Sequence, residues 1–145
     1  TICLTDFMAT CASIVNKQLP DNAAEDSYNI LPLFLGNFKG SYPRTSTIHH
    51  SIDGNFAIRK GKWKLEFCPG SGGWSYPTKK DLVSLKFPEV QLYNLETDIG
   101  ETKNLSGKYP DIVKKLTSEM KKNISKGRST PGKSQKNDVE VLLIK

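Results

Sequence analysis

Two short runs of alternating residues place the strongest constraint on how this chain folds. Residues 56–59 and 63–67 each alternate along the chain, and a turn around Gly61 separates them. In the second run three large apolar side chains share one face, while Lys64 and Glu66 share the other. The pattern predicts an antiparallel hairpin with one buried face.

The first 40 residues show helical periodicity. Thr5 and Asp6 precede apolar residues at helical spacing and predict a helix that ends near Asn16. Residues 27–35 predict a second, short helix with Ser27 as its N-cap residue. Because apolar residues cover most of its surface, this second helix is expected to be buried between layers.

Beyond residue 40 the pattern is typical of a small sheet with one helix. Residues 68–88 begin rich in glycine and proline and predict an irregular loop. Pro110 opens an apolar stripe that predicts an amphipathic helix over residues 110–126, ended by Gly127. Besides the hairpin, strands are predicted at residues 46–52, 90–95 and 139–144.

Composition narrows the class of protein. The 145 residues correspond to one domain by length, with 37% hydrophobic and 25% charged residues, as in a folded globular chain. No run of 18 apolar residues occurs, so no membrane partner is expected. Cys3, Cys11 and Cys68 cannot all pair, and no zinc-site spacing is present. We expect three reduced thiols and no metal site.

Positive charge is concentrated at one end of the chain. The net charge of +6 lies in residues 101–145, which hold 11 Lys and Arg against 5 Asp and Glu. A basic end of this kind suits a polyanion, but a solvated helix face followed by a polar tail is the simpler explanation. Aromatic residues are not interleaved with the basic run, so nucleic acid is not an expected partner.

The loop that begins at Cys68 has the residue types of a reactive thiol loop. A phosphatase loop of the Cys-x5-Arg type requires arginine where Trp74 stands, and a phosphate-binding loop requires a lysine after its glycines. No helix pattern follows Cys68 to lower its pKa. No catalytic residue is therefore predicted here.

Several segments of the chain resemble, in order, the C-terminal third of a known enzyme family. They are LTDFMATCASIVNKQLP (4–20), EDSYNILPLFLG (25–36), AIRKGKWKL (57–65) and QLYNLETDIGETKNL (91–105). This order resembles the type I, formylglycine-dependent sulfatases of the alkaline-phosphatase-like superfamily. Residues 49–77 look closest to the bacterial arylsulfatase-like members.

The resemblance implies an α+β fold that belongs to a larger protein. Family members join a large α/β catalytic domain to a small, four-stranded antiparallel sheet packed on a C-terminal amphipathic helix. Residues 1–40 would supply the closing helices of a truncated catalytic domain. Residues 41–145 would form the whole C-terminal subdomain.

The resemblance also implies sulfate-ester hydrolysis, by a formylglycine residue and a calcium ion. The family motif is Cys-x-Pro-Ser-Arg, whereas Cys68 is followed directly by Pro69 and no arginine is near. Counterparts of the calcium ligands are also missing. The chain is therefore expected to be inactive alone, with an N-terminal catalytic domain in cis acting on a sulfated small molecule or glycan. Family members are commonly periplasmic or secreted.

Four residues are candidates for contact with substrate. His49 and His50 lie at a strand end that, by the resemblance, faces the active-site mouth, and adjacent strand residues point to opposite faces. Trp74 and Tyr76 lie on the glycine-rich loop and could form a platform for a sugar ring. The alternative for the histidines is one packed and one solvated ring, and for Trp74 and Tyr76 it is packing that anchors a mobile loop. The alternative function is a free-standing basic module that binds a polyanion without catalysis.

Overall fold

The computed structural model describes residues 1–84 and 87–144 and shows a mixed α+β fold. Its elements are helices and four strands, in the order α1 (Asp6–Ile14), α2 (Leu31–Phe34), β1 (Thr47–His50), β2 (Phe56–Lys60), β3 (Trp63–Glu66), α3 (Lys79–Ser84), β4 (Gln91–Asn94) and α4 (Pro110–Lys126). The chain divides into two compact units. One comprises residues 1–47 and 122–140, and the other residues 48–121 and those from 141 onward.

The first unit is organised around the buried carboxylate of Asp6. This carboxylate pairs with Arg44 and accepts hydrogen bonds from the backbone N–H groups of Cys3 and Tyr28, both at 2.9 Å. One turn later, the Thr10 hydroxyl accepts a hydrogen bond from the N–H of Ile30 at 3.0 Å, and Ile30 is fully buried. The segment after α1 is therefore held by α1 side chains rather than by a long helix of its own.

The second unit contains the predicted hairpin as part of an antiparallel sheet with the order β1-β2-β3-β4. Ile58 is opposite Leu65 and Leu65 is opposite Leu92, which fixes the register of the central strands. These three side chains are fully buried, as expected for the apolar face of a half-buried sheet. The prediction of the hairpin is confirmed.

Helix α4 and Tyr109, the residue directly before it, contact the apolar face of the sheet. Glu119 accepts a hydrogen bond from the Lys60 ammonium at 2.6 Å, and the ring of Tyr109 lies 5.2 Å from that of Trp63. Leu116 and Met120, on the same side of α4, are buried. The predicted amphipathic helix over residues 110–126 is confirmed.

The predicted second helix is shorter and more exposed than its composition suggests. It covers only Leu31–Phe34, and Phe34 and Leu35 are 55% and 61% exposed. Ser27 does not cap it; the Ser27 hydroxyl instead accepts a hydrogen bond from the N–H of Ala9 at 2.8 Å. The expectation that this helix is buried between layers was wrong, because its apolar side chains are exposed in this chain.

The predicted strand over residues 139–144 is also wrong. Those residues form no strand, and Val139, Leu142 and Ile144 are exposed. Edge strand β4 has no free backbone positions at its middle, because the N–H of Leu92 donates to Asn104 Oδ1 at 3.1 Å and its C=O accepts from Leu105 at 2.8 Å. The 139–144 run therefore cannot pair with β4 at this position.

Helix α3 lies where an irregular loop was predicted. Asp81 accepts hydrogen bonds from both the backbone N–H and the hydroxyl of Thr78, each at 2.7 Å. This is a capping arrangement of the Thr-x-x-Asp type, and Thr78-Lys79-Lys80-Asp81 carries its sequence signal. The sequence interpretation overlooked it.

Candidate functional site

The glycine-rich loop is fixed against the turn that follows β1. The N–H of Asp53 donates to the C=O of Gly72 at 3.2 Å. A Cβ atom on Gly72 would lie 2.9 Å from the Ser51 side chain, and one on Gly73 would lie 2.7 Å from that of Ile52. Gly72 also has a φ of +67°, so glycine is favoured there on both counts, whereas at Gly73 the exposed Ile52 side chain would have to move. The loop and the end of β1 therefore form one surface.

The two histidines at the end of β1 are both exposed and have different surroundings. The ring of His50 lies 4.3 Å from that of Phe56 in an edge-on arrangement, which fixes its orientation. Partial desolvation and the positive charges of Lys64 and Arg59 lower the pKa of His49. The lowered pKa favours the neutral ring of His49 at pH 7, which has both a donor and an acceptor nitrogen.

Trp74 and Tyr76 project from the loop into solvent. Their side chains are 86% and 72% exposed, although the loop backbone that carries them is held in place. Ser71 braces this backbone, since its hydroxyl donates to the C=O of Ser75 at 2.6 Å. Two large aromatic residues on a braced, exposed loop are typical of a contact surface rather than of a core.

Beneath the loop is a cavity of about 290 Å³. Its wall combines loop backbone with polar and apolar side chains, namely Asp53, Asn55, Cys68, Pro69, Gly70, Ser71, Gly72, Gly73, Pro77 and Leu82. Cys68 is buried, and its thiol donates to the C=O of Gly70 at 3.3 Å. Burial and the nearby Glu66 raise the pKa of this thiol. A protonated, inaccessible thiol is not a nucleophile at neutral pH.

A charged network on the polar face of the sheet was missed by the sequence interpretation. The Lys64 ammonium lies 2.7 Å from Glu66 and 2.7 Å from Glu101, and all three side chains are at most 30% exposed. Burial raises the pKa of Glu66, in spite of the opposing effect of Lys64. Lys64 and Glu66 were assigned to one face by alternation, but Glu101 comes from a distant turn with a positive φ of 55°.

The structure also bears on two features, a metal-binding site and a membrane-spanning helix. In residues 1–84 and 87–144, no group of three or more His, Cys, Asp or Glu side chains is arranged to hold a metal ion. Within the same part of the chain, every helix is too short or too polar to cross a bilayer.

Comparison with known proteins identifies the relatives of this chain. It is 31% identical to the N-acetylgalactosamine-6-O-sulfatase of Bacteroides thetaiotaomicron over 112 residues, which cover 77% of this chain and 21% of the relative. It is also 31% identical to arylsulfatase A of Homo sapiens over 125 residues, covering 77% of this chain and 24% of that enzyme. No family model matches the chain.

Solved structures give the same result. A sulfatase structure from work on the metabolism of multiple glycosaminoglycans by Bacteroides thetaiotaomicron matches with a TM-score of 0.63 and 29% identity, over 81% of this chain and 24% of that one. A 2-O GAG sulfatase matches with a TM-score of 0.53 and 20% identity, over 82% of this chain and 24% of that one, which supports the fold alone.

The α+β fold and the sequence matches together indicate one family of proteins. The chain belongs to the sulfatase family and corresponds to a C-terminal part of its members. It spans between a fifth and a quarter of the length of the curated relatives it matches, which is 21% of one and 24% of the other.

Proposed function

We propose that this chain is the C-terminal supporting part of an enzyme that hydrolyses sulfate esters of carbohydrates. The observation that carries the proposal is the match of 77% of this chain to 21% of an enzyme named for the 6-O-sulfate of N-acetylgalactosamine. The chain supplies scaffold and part of the substrate-pocket wall, and the catalytic centre lies in an N-terminal domain in cis. The braced aromatic loop supports a role in substrate contact.

We place the boundary between the two parts near residue 40. In this proposal residues 1–40 are the closing helices of the α/β catalytic domain, and residues 41–145 are the C-terminal subdomain. Exposed apolar side chains on the first of these segments support it: Phe7, Phe34 and Leu35 are all exposed. Such side chains are expected where a further layer of the catalytic domain covers them.

The residues of this chain do not fit the cofactors of the family. Calcium requires a set of oxygen ligands, and no metal-binding cluster exists among the described residues. A formylglycine requires an accessible cysteine in the modification motif, whereas Cys68 is buried and is followed by Pro69. We assign both cofactors to the N-terminal part, and no chemical step to this chain.

The proposed pocket wall would bind substrate in two ways. Trp74 and Tyr76 offer ring faces to the apolar C–H face of a sugar. The neutral ring of His49 offers one hydrogen-bond donor and one acceptor to sugar hydroxyl groups. His50 has less freedom because its ring packs edge-on against Phe56. We therefore favour His49 over His50 as the residue that contacts substrate.

The complete reading frame tests the proposal. We expect the sequence encoded upstream, in frame, to contain a Cys- or Ser-x-Pro-Ser-Arg motif, and the whole product to show calcium-dependent sulfatase activity. A stop codon followed by a separate start codon directly before residue 1 would contradict the proposal and favour the free-standing basic module.

A further inference from the structure

The exposed side of α4 carries four lysines in two rows. Lys114 and Lys121 are seven residues apart, which places them on the same side of the helix about 10.5 Å apart. Lys115 and Lys122 repeat this spacing about 100° further round the helix axis. Ser118 lies between the rows, and all of these side chains are exposed. We call this set of four lysines the lysine track.

The charge of the lysine track is not neutralised by ion pairs among the described residues. None of its ammonium groups lies at ion-pair distance from a carboxylate in the described part of the chain, whereas Lys60, Lys62 and Lys64 all do. Glu119 is the carboxylate in the middle of α4, and it pairs with Lys60 instead. Asp111 and Glu119 lie four residues before and after Lys115, at the spacing of helix ion pairs, but neither forms one with the track; the position four residues after Lys114 is a serine.

The residue types in the lysine track indicate which kind of polyanion it would bind. Its cations are all lysines, which act as point charges, and it lacks the arginine forks that bind phosphate and base edges with two hydrogen bonds. It also has no aromatic residue on which a base could stack. These features favour a polymer recognised by regularly repeated charge alone.

We infer that the lysine track is a secondary binding site for a sulfated polysaccharide, outside the pocket in which sulfate esters are cleaved. The choice of a sulfated glycan rests on the proposed function; the existence of the basic surface does not. Binding there would hold the polymer by its repeated sulfate groups and raise its concentration near the enzyme. The contacts are electrostatic, so the affinity must fall as salt concentration rises.

The test measures the affinity of this chain for fluorescently labelled chondroitin sulfate, against unsulfated chondroitin and duplex DNA of similar length. In the track variant, Lys114, Lys115, Lys121 and Lys122 are replaced by Gln, which keeps helix propensity. The matched control replaces Lys17, Lys39, Lys103 and Lys136, which are equally exposed, and has the same net charge. We expect the track variant to bind roughly tenfold or more weakly and the control less than about twofold.

Lysine acetylation provides a second readout that does not depend on the variants. Bound chondroitin sulfate is expected to protect the four track lysines from acetylation, while Lys17 and Lys39 remain reactive. Circular dichroism checks that both variants keep the helix content of the wild-type chain.

Three outcomes would overturn the inference. They are equal weakening in the track and control variants, equal affinity for unsulfated chondroitin or duplex DNA, and protection of lysines outside α4. None of these measurements requires hydrolysis. Loss of the sulfatase assignment would leave the affinity for chondroitin sulfate intact, and failure to bind would leave the assignment intact.

Discussion

The carboxylate of Asp6 and the guanidinium of Arg44 form a buried ion pair that joins α1 to the segment before β1. Their side chains are 0% and 4% exposed. Arg44 also donates to the C=O of Asp26 at 2.8 Å and lies 4.8 Å from the centre of the Tyr28 ring. Three segments of the first unit, at Asp6, at residues 26–28 and at Arg44, therefore depend on one pair of charges.

Replacement of Asp6 by Asn should strongly destabilise the first unit. The variant leaves the Arg44 charge buried without its partner, and such losses typically cost about 3–5 kcal/mol. Urea denaturation followed by the fluorescence of the chain measures the effect. Asp111→Asn, at an exposed position of α4, is the control and should change stability by less than about 0.5 kcal/mol.

The contribution of Asp6 to the free energy of unfolding should fall as the pH becomes acidic. Burial alone would raise the pKa of Asp6, but hydrogen bonds from Arg44, Tyr28 and Cys3 outweigh it and lower the pKa below 3.8. The carboxylate therefore contributes full stability above about pH 4 and loses it as the pH falls through the lower, folded-state pKa. The difference between wild type and Asp6→Asn should shrink in that acidic range; a constant difference would contradict this account.

Replacement of Lys64 by Gln should raise the pKa of His49. The positive charge of Lys64 helps to lower that pKa, and its removal also leaves Glu66 and Glu101 without their counter-ion. The shift is measured by following the imidazole resonances against pH by NMR. Lys62→Gln, which removes an exposed lysine paired with Glu96 at 3.5 Å, is the matched control and should leave His49 unchanged. Equal shifts in both variants would refute the local effect.

The three cysteines should react with a thiol reagent at different rates. Cys11 is exposed and should be labelled first, Cys3 next, and the buried Cys68 only when the protein unfolds. Mass spectrometry of peptides after timed alkylation measures the order. Rapid labelling of Cys68 in the folded protein, or an aldehyde at that position, would contradict its assignment as a packed thiol.

The two tryptophans should respond to substitution in opposite ways. Trp74→Ala removes an exposed side chain and should change the free energy of unfolding by less than about 0.5 kcal/mol. Trp63→Ala removes packing against Tyr109 and should cost about 3 kcal/mol.

In the full-length enzyme, Trp74→Ala should raise KM for a sulfated sugar with little change in kcat. An unchanged KM would remove Trp74 from the substrate-contact surface.

The local patterns of the sequence were sufficient for most elements. The hairpin follows from alternation around Gly61, and α4 follows from Pro110 and its apolar stripe, because both signals are contained within the element itself. The failures depend on distant residues. The 139–144 run cannot pair with β4 because Asn104 and Leu105 already bond to the middle of that strand. Ser27 does not cap α2 because its hydroxyl accepts a hydrogen bond from α1.

In the candidate site, too, the sequence predicted the local features but not the contacts between distant residues. Strand position alone predicted that His49 and His50 would be near the end of β1, but not that Lys64 and Arg59 would lower the pKa of His49. Glu101 reaches Lys64 from 37 residues away, and no short pattern in the sequence encodes that contact. The roles of His49, His50, Trp74 and Tyr76 in substrate binding remain predictions.

The most direct test of the central claim compares hydrolysis of a chromogenic sulfate ester by this chain alone and by the full-length product of its reading frame, both with calcium present. The account predicts no turnover above the buffer rate for the chain alone, and calcium-dependent turnover for the full-length product. Measurable turnover by the purified chain alone would contradict the assignment of the catalytic centre to the N-terminal part.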